Sequence, residues 1–74
     1  MSEEVKASIA DAFQYHAWDE KQTLNGTRIR EALAHAVEVI VECAPPSPDR
    51  TTAIRKLREA RMDANSAITH GGKY

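Results

Sequence analysis

The chain has 74 residues, a single cysteine and a formal net charge of -1. One domain of this size buries a modest share of its surface, and small scaffolds recover stability from disulfides, a metal or oligomerisation. Cys43 alone excludes a disulfide framework and suggests a reducing, cytosolic compartment, and His16, His35 and His70 stand too far apart in sequence for a zinc ligand pair. Oligomerisation is then the expected route, and the near-neutral charge offers no general attraction to DNA, RNA or an anionic membrane.

Residues 1–12, MSEEVKASIADA, carry acids without an apolar run, so neither a signal peptide nor a membrane span is expected. A short helix is expected over about residues 3–14, with Ser2 as cap and Glu3 and Glu4 in its first turn. Val5, Ile9, Ala12 and Phe13 fall on one face. A helix this short does not hold alone, so it is expected to fold against the helices that come after it.

Three of the chain's four aromatic residues then fall within FQYHAW, residues 13–18. Phe13 extends the apolar stripe and reads as core. Trp18 precedes a capping residue, Asp19, and reads as a staple for the corner. Tyr15 faces elsewhere, either packing or presenting a flat face to a ligand.

A second helix is expected over about residues 20–44, with Leu33, Val37, Ile40, Val41 and Ala44 repeating at three and four and Ala36 widening the stripe. Asn25-Gly26 marks a possible break, since glycine costs roughly 1 kcal/mol against alanine inside a helix. Cys43 reads as a small buried residue at the helix end. Arg28 and Arg30 point about 160° apart, so one of them can share a face with a given ligand. Such a guanidinium binds phosphate through its fork or pairs in solvent, here with Glu20 or Glu31.

APPSPD, residues 44–49, stops one helix and starts another, with Ser47 as cap and Pro48 at the first helical position. The third helix is expected over about residues 48–69, ended by His70-Gly71-Gly72. Its stripe is Ala53, Leu57, Ala60, Ala64 and Ala67, flanked by Ile54 and Ile68. The short loop leaves an antiparallel hairpin as the arrangement. Arg61 and Asn65 lie one turn apart beside the seam, where they hydrogen-bond across subunits or line a pocket. The expected fold is all-α: one domain over residues 1–74, a short N-terminal helix on an antiparallel two-helix hairpin, assembled as a homo-oligomer. No Ser/His/Asp or Cys/His set has diagnostic spacing and no glycine-rich phosphate loop occurs, so neither catalysis nor a cofactor or metal is expected.

Tyr15-His16, then Gln22, an arginine-rich turn and an apolar helix ending in Cys43-Ala44-Pro45 form the first half of a pattern. The proline loop with Ser47 and the run LREARMDANSAI, Leu57 to Ile68, form the second. Together they resemble the helical-hairpin domain shared by phage anti-CBASS and Thoeris anti-defence sponge proteins, over roughly residues 13–69. The order and spacing of short motifs carry the resemblance. It implies a phage-encoded, non-enzymatic protein of the host bacterial cytoplasm. Such a protein sequesters cyclic di- or trinucleotide immune messengers, such as 3′,3′-cyclic GMP-AMP, so that the CBASS effector is not activated. Cyclic ADP-ribose-type signals are compatible with the Thoeris side of the family.

The resemblance further implies a compact homohexamer with ligands between protomers. Tyr15, with His16 beside it, would stack on a base, and Arg30 would meet a phosphate. Arg61, Asn65 and Thr69 are the residues suggested for a cyclic trinucleotide pocket. Two positions depart from the family pattern: Ala17-Trp18 stands where a proline often follows Tyr-His, and Asp63 replaces a tryptophan of the last helix. A two-fold interface would present Tyr15 and Arg30 twice to a ligand with two bases and two phosphates, each stacked base contributing about 1–3 kcal/mol. The alternative reading is a helical protein-interaction module, an inhibitor or scaffold without nucleotide binding.

Overall fold

The computed structural model describes residues 2–13 and 16–73. They form three helices, α1 (Glu3–Phe13), α2 (Glu20–Cys43) and α3 (Pro48–Thr69), with no strand among the described residues. None of these helices is long and apolar enough to cross a membrane.

Local chemistry sets the boundaries of α2 and α3. Asp19 is extended and its carboxylate accepts the Gln22 backbone N–H at 2.8 Å, while Gln22 Oε1 accepts the Asp19 N–H at 3.0 Å. This reciprocal cap satisfies two helix-end donors at once. The same Gln22 side chain donates through Nε2 to the Ile68 carbonyl at 3.0 Å, tying the start of α2 to the end of α3. At the other end of α2, the Ala44 N–H closes on the Ile40 carbonyl before Pro45 and Pro46 remove further donors. Ser47 Oγ accepts the Arg50 N–H at 3.1 Å, with Pro48 opening α3. Arg50 reaches back to the Ala44 carbonyl at 3.2 Å and so satisfies an acceptor left over from α2. Gly71 and Gly72 have φ of 60° and 79°, and the Gly72 N–H returns to the Ala67 carbonyl to finish α3.

α2 and α3 pack on each other as a helical hairpin, the one helix pair in contact among the described residues. Half-buried Leu33, Ala36, Val37 and Ile40 of α2 match half-buried Ala53, Ile54, Leu57, Ala64 and Ile68 of α3. On α3 the half-buried positions of the seam include 50, 54, 57, 64 and 68, with exposed Arg61 beside them. Ala60 and Ala67, expected in that stripe, are exposed. Turning Ile54, Leu57 and Ile68 inward removes more apolar area from water than turning two alanines.

Four other expectations are corrected. α2 runs unbroken through Asn25-Gly26. Among the described residues α1 makes no packing contact with the hairpin, and Phe13 is 88 % exposed rather than core. An 11-residue helix whose large apolar side chains are Val5, Ile9 and Phe13 has little area with which to dock. Cys43 is exposed, because the α2 stripe continues from Ile40 to Ala44 and leaves residue 43 on the flank.

The radius of gyration is 16.1 Å, whereas a compact chain of this length would have about 11 Å. No apolar side chain among the described residues is fully buried. The described residues therefore form a hairpin with a seam but no closed core.

Candidate anion-binding face of the hairpin

Trp18, just ahead of α2, organises the open end of the hairpin. Its indole N–H donates to Thr69 Oγ1 at 2.7 Å, reaching the last residue of α3. Its six-membered ring lies on Gly26, the one buried residue of α2. A Cβ added at Gly26 would stand 2.6 Å from Trp18 Cη2 and closer still to Cζ3. Glycine at this point is therefore the space that the indole occupies, which explains why α2 tolerates it mid-helix.

Arg30 follows Gly26 by one turn. A hollow of about 200 Å³ opens here, walled by Trp18, Gly26, Thr27 and Arg30 on one side and by Arg61 and Asn65 of α3 on the other. An adjoining hollow of about 160 Å³ is lined by Arg30, Leu33, Val37, Leu57, Arg58 and Arg61. A third, of about 220 Å³, shares Arg58, Arg61 and Asn65 and adds Met62. Spacings of three and four residues put Arg58, Arg61 and Asn65 on one side of α3.

Three arginines and no carboxylate line these hollows. Arg30, Arg58 and Arg61 make no ion pair or hydrogen bond among the described residues; His35 and Glu38 do form an ion pair there, 3.8 Å apart and well exposed. The expected solvent pairing of Arg30 with Glu20 or Glu31 is thus not found among them. Arg28 lines a separate hollow with Asn25, Ile29, Ala32 and Ile68, as its opposite heading on α2 requires. A guanidinium presents a rigid fork of donors that matches phosphate or carboxylate oxygens. Unpaired forks converging on one face, beside an indole wall and an amide, can hold a phosphorylated ligand.

The residues singled out from the sequence separate into four groups. Arg30, Arg61 and Asn65, assigned to two different pockets, line the same hollow. Thr69 is engaged by the Trp18 indole. His16 meets His70 edge to face, with ring centroids 5.1 Å apart and planes at 82°, and lines neither hollow that contains Arg30. Tyr15 lies outside the described residues. Sequence reasoning missed Arg58 and the Trp18–Gly26 contact. One signal was available for Arg61: it stands one turn from both Leu57 and Asn65, beside the seam.

The chain matches no known protein family, no curated protein and no solved structure.

Proposed function

We propose that this protein is a non-enzymatic, phage-encoded sponge that binds cyclic di- or trinucleotide immune messengers in the host bacterial cytoplasm and keeps them from CBASS effectors. The observation that carries this reading is the unpaired arginine face, Arg30 with Arg58 and Arg61, on a chain whose formal net charge is -1. Local cationic forks without a general positive charge suit a small phosphodiester ligand better than DNA, RNA or a membrane surface. Arg30 is also the position that the sequence resemblance assigns to phosphate.

The reading includes an antiparallel hairpin assembled as a homohexamer. Its support is the surplus of apolar surface on one chain: Val5, Ile9, Phe13, Leu24, Val39, Val41 and Met62 are all exposed. Ordering a backbone costs about 1–2 kcal/mol per residue, and a hairpin without a closed core has little burial to offset that unless copies associate. In this reading, as the sequence resemblance implies, Tyr15 and His16 would contribute to a dinucleotide site and Thr69 to a trinucleotide pocket.

The same exposed apolar surface favours a second reading, a helical protein-interaction module acting as inhibitor or scaffold. In that module the three arginines would serve as interface contacts, as arginines do at protein–protein surfaces. Thermal unfolding at fixed protein concentration separates the two, because a ligand at a hundred times its Kd stabilises by about 2.7 kcal/mol. The sponge reading predicts a dose-dependent rise in Tm with 3′,3′-cyclic GMP-AMP or a cyclic trinucleotide. A flat response across cyclic di- and trinucleotides and cyclic ADP-ribose isomers would favour the interaction module.

A further inference from the structure

We infer that Arg30 and Arg61 of one chain grip a single phosphate, so that the hollow between Trp18 and Asn65 is one anion site complete within a protomer. The inference deepens the sponge reading and rests on it only for the identity of the nucleotide that carries the phosphate. It differs from the pattern implied by resemblance, in which Arg30 and Arg61 serve two separate pockets.

Two observations and an electrostatic argument converge on it. Arg30 and Arg61 line the same hollow beside Trp18 and also the adjoining one beside Leu57. Neither guanidinium has a partner among the described residues, and no carboxylate lines either hollow. Two like charges held on facing helices repel each other, and an anion between them turns that repulsion into two attractions.

The site is also prepared in advance. Trp18 is fixed at one edge by its bond to Thr69 and on one face by Gly26, so the wall is present before a ligand arrives. A preformed wall lowers the ordering cost of binding. The hollow holds about 200 Å³, below the roughly 300–1,000 Å³ typical of sites that enclose a drug-sized ligand. It therefore takes the phosphate and adjoining sugar atoms, with Asn65 as a further hydrogen-bonding group, while a base lies outside it.

The test is calorimetric titration of the full chain with inorganic pyrophosphate, then with 3′,3′-cyclic GMP-AMP, using wild type, Arg30→Gln, Arg61→Gln and Arg55→Gln. Arg55 is exposed on the same helix and lines none of these hollows, so its loss reports general charge alone. Arg30→Gln and Arg61→Gln should each weaken both probes about tenfold or more, as loss of a charge-assisted fork does, with circular dichroism and oligomeric state unchanged. Arg61→Lys keeps the charge without the fork and should fall between wild type and Arg61→Gln, which also guards against misfolding of the glutamine variant. Arg61→Gln binding both probes as Arg55→Gln does would overturn the shared site, as would wild type that takes up no pyrophosphate. Pyrophosphate lost equally from the Arg30 and Arg61 variants, with no heat from any cyclic nucleotide, would keep the site and overturn the sponge reading. Cyclic GMP-AMP weakened by Arg30→Gln but not by Arg61→Gln would do the reverse.

Discussion

At the loop end of the hairpin, the capping hydrogen bonds join near neighbours: Ala44 closes on Ile40, Ser47 caps Arg50, and Arg50 returns to Ala44. At the open end, Trp18 meets Thr69 across 51 residues and Gln22 meets Ile68 across 46. The loop end is held by chain connectivity and backbone rules, and no chemistry-bearing hollow lies there among those described. The open end has no covalent tie between its helices, so side chains must supply one, and the arginine hollow opens beside that tie. Under the proposed function, stability and binding should therefore be coupled at the open end and separable at the loop end.

That contrast can be broken or sharpened by substitution, from the largest expected effect to the smallest. Trp18→Ala removes the ring from Gly26 and the bond to Thr69, and should cost about 2–4 kcal/mol, toward the lower part of the range for losing a large aromatic because Trp18 is only half-buried. Chemical denaturation at fixed chain concentration measures it, and the same variant should lose affinity for cyclic nucleotide. Unaltered stability would mean that the open end is held by something else.

Gly26→Ala sets two effects against each other. Alanine improves helix propensity by roughly 1 kcal/mol, but its Cβ collides with a rigid ring, and such overpacking costs about 1–3 kcal/mol. A net loss of about 1 kcal/mol is expected, with the Trp18 fluorescence shifting as the indole moves into water. A higher Tm would show that the ring does not rest on this glycine.

Ser47→Ala removes the α3 cap and should cost about 1 kcal/mol, while leaving ligand affinity within a factor of about two in the folded protein. It is the counterpart at the loop end: a stability change without a binding change. A binding loss as large as that of Trp18→Ala would erase the distinction between the two ends.

The same division explains what could be read from the sequence. Asp19, Ser47, Pro48 and the terminal glycines announce helix boundaries through local chemistry, and the structure places α2 and α3 accordingly. The all-helical hairpin followed from periodicity. Gly26 misled, because its reason for being glycine is an indole from outside the helix, and no local rule contains that contact. Ala60 and Ala67 misled because an alanine-rich helix offers more than one stripe, and the partner helix chooses among them. Phe13 and Cys43 read as core from their type alone, although one chain has no closed core to receive them. Arg30, Arg61 and Asn65 were legible as candidates by chemistry. That they meet in one hollow depends on how α3 rotates against α2, which spacing along a single helix does not set.

The most direct test of the central claim is isothermal titration of purified protein with 3′,3′-cyclic GMP-AMP. Wild type is compared with Arg30→Gln and Tyr15→Ala, and light scattering confirms the same oligomer throughout. The account predicts saturable binding at about one ligand per two chains, as a two-fold interface would give, with affinity lost in both variants. A folded, assembled protein that gives no heat with this ligand, with cyclic trinucleotides or with cyclic ADP-ribose isomers would contradict it.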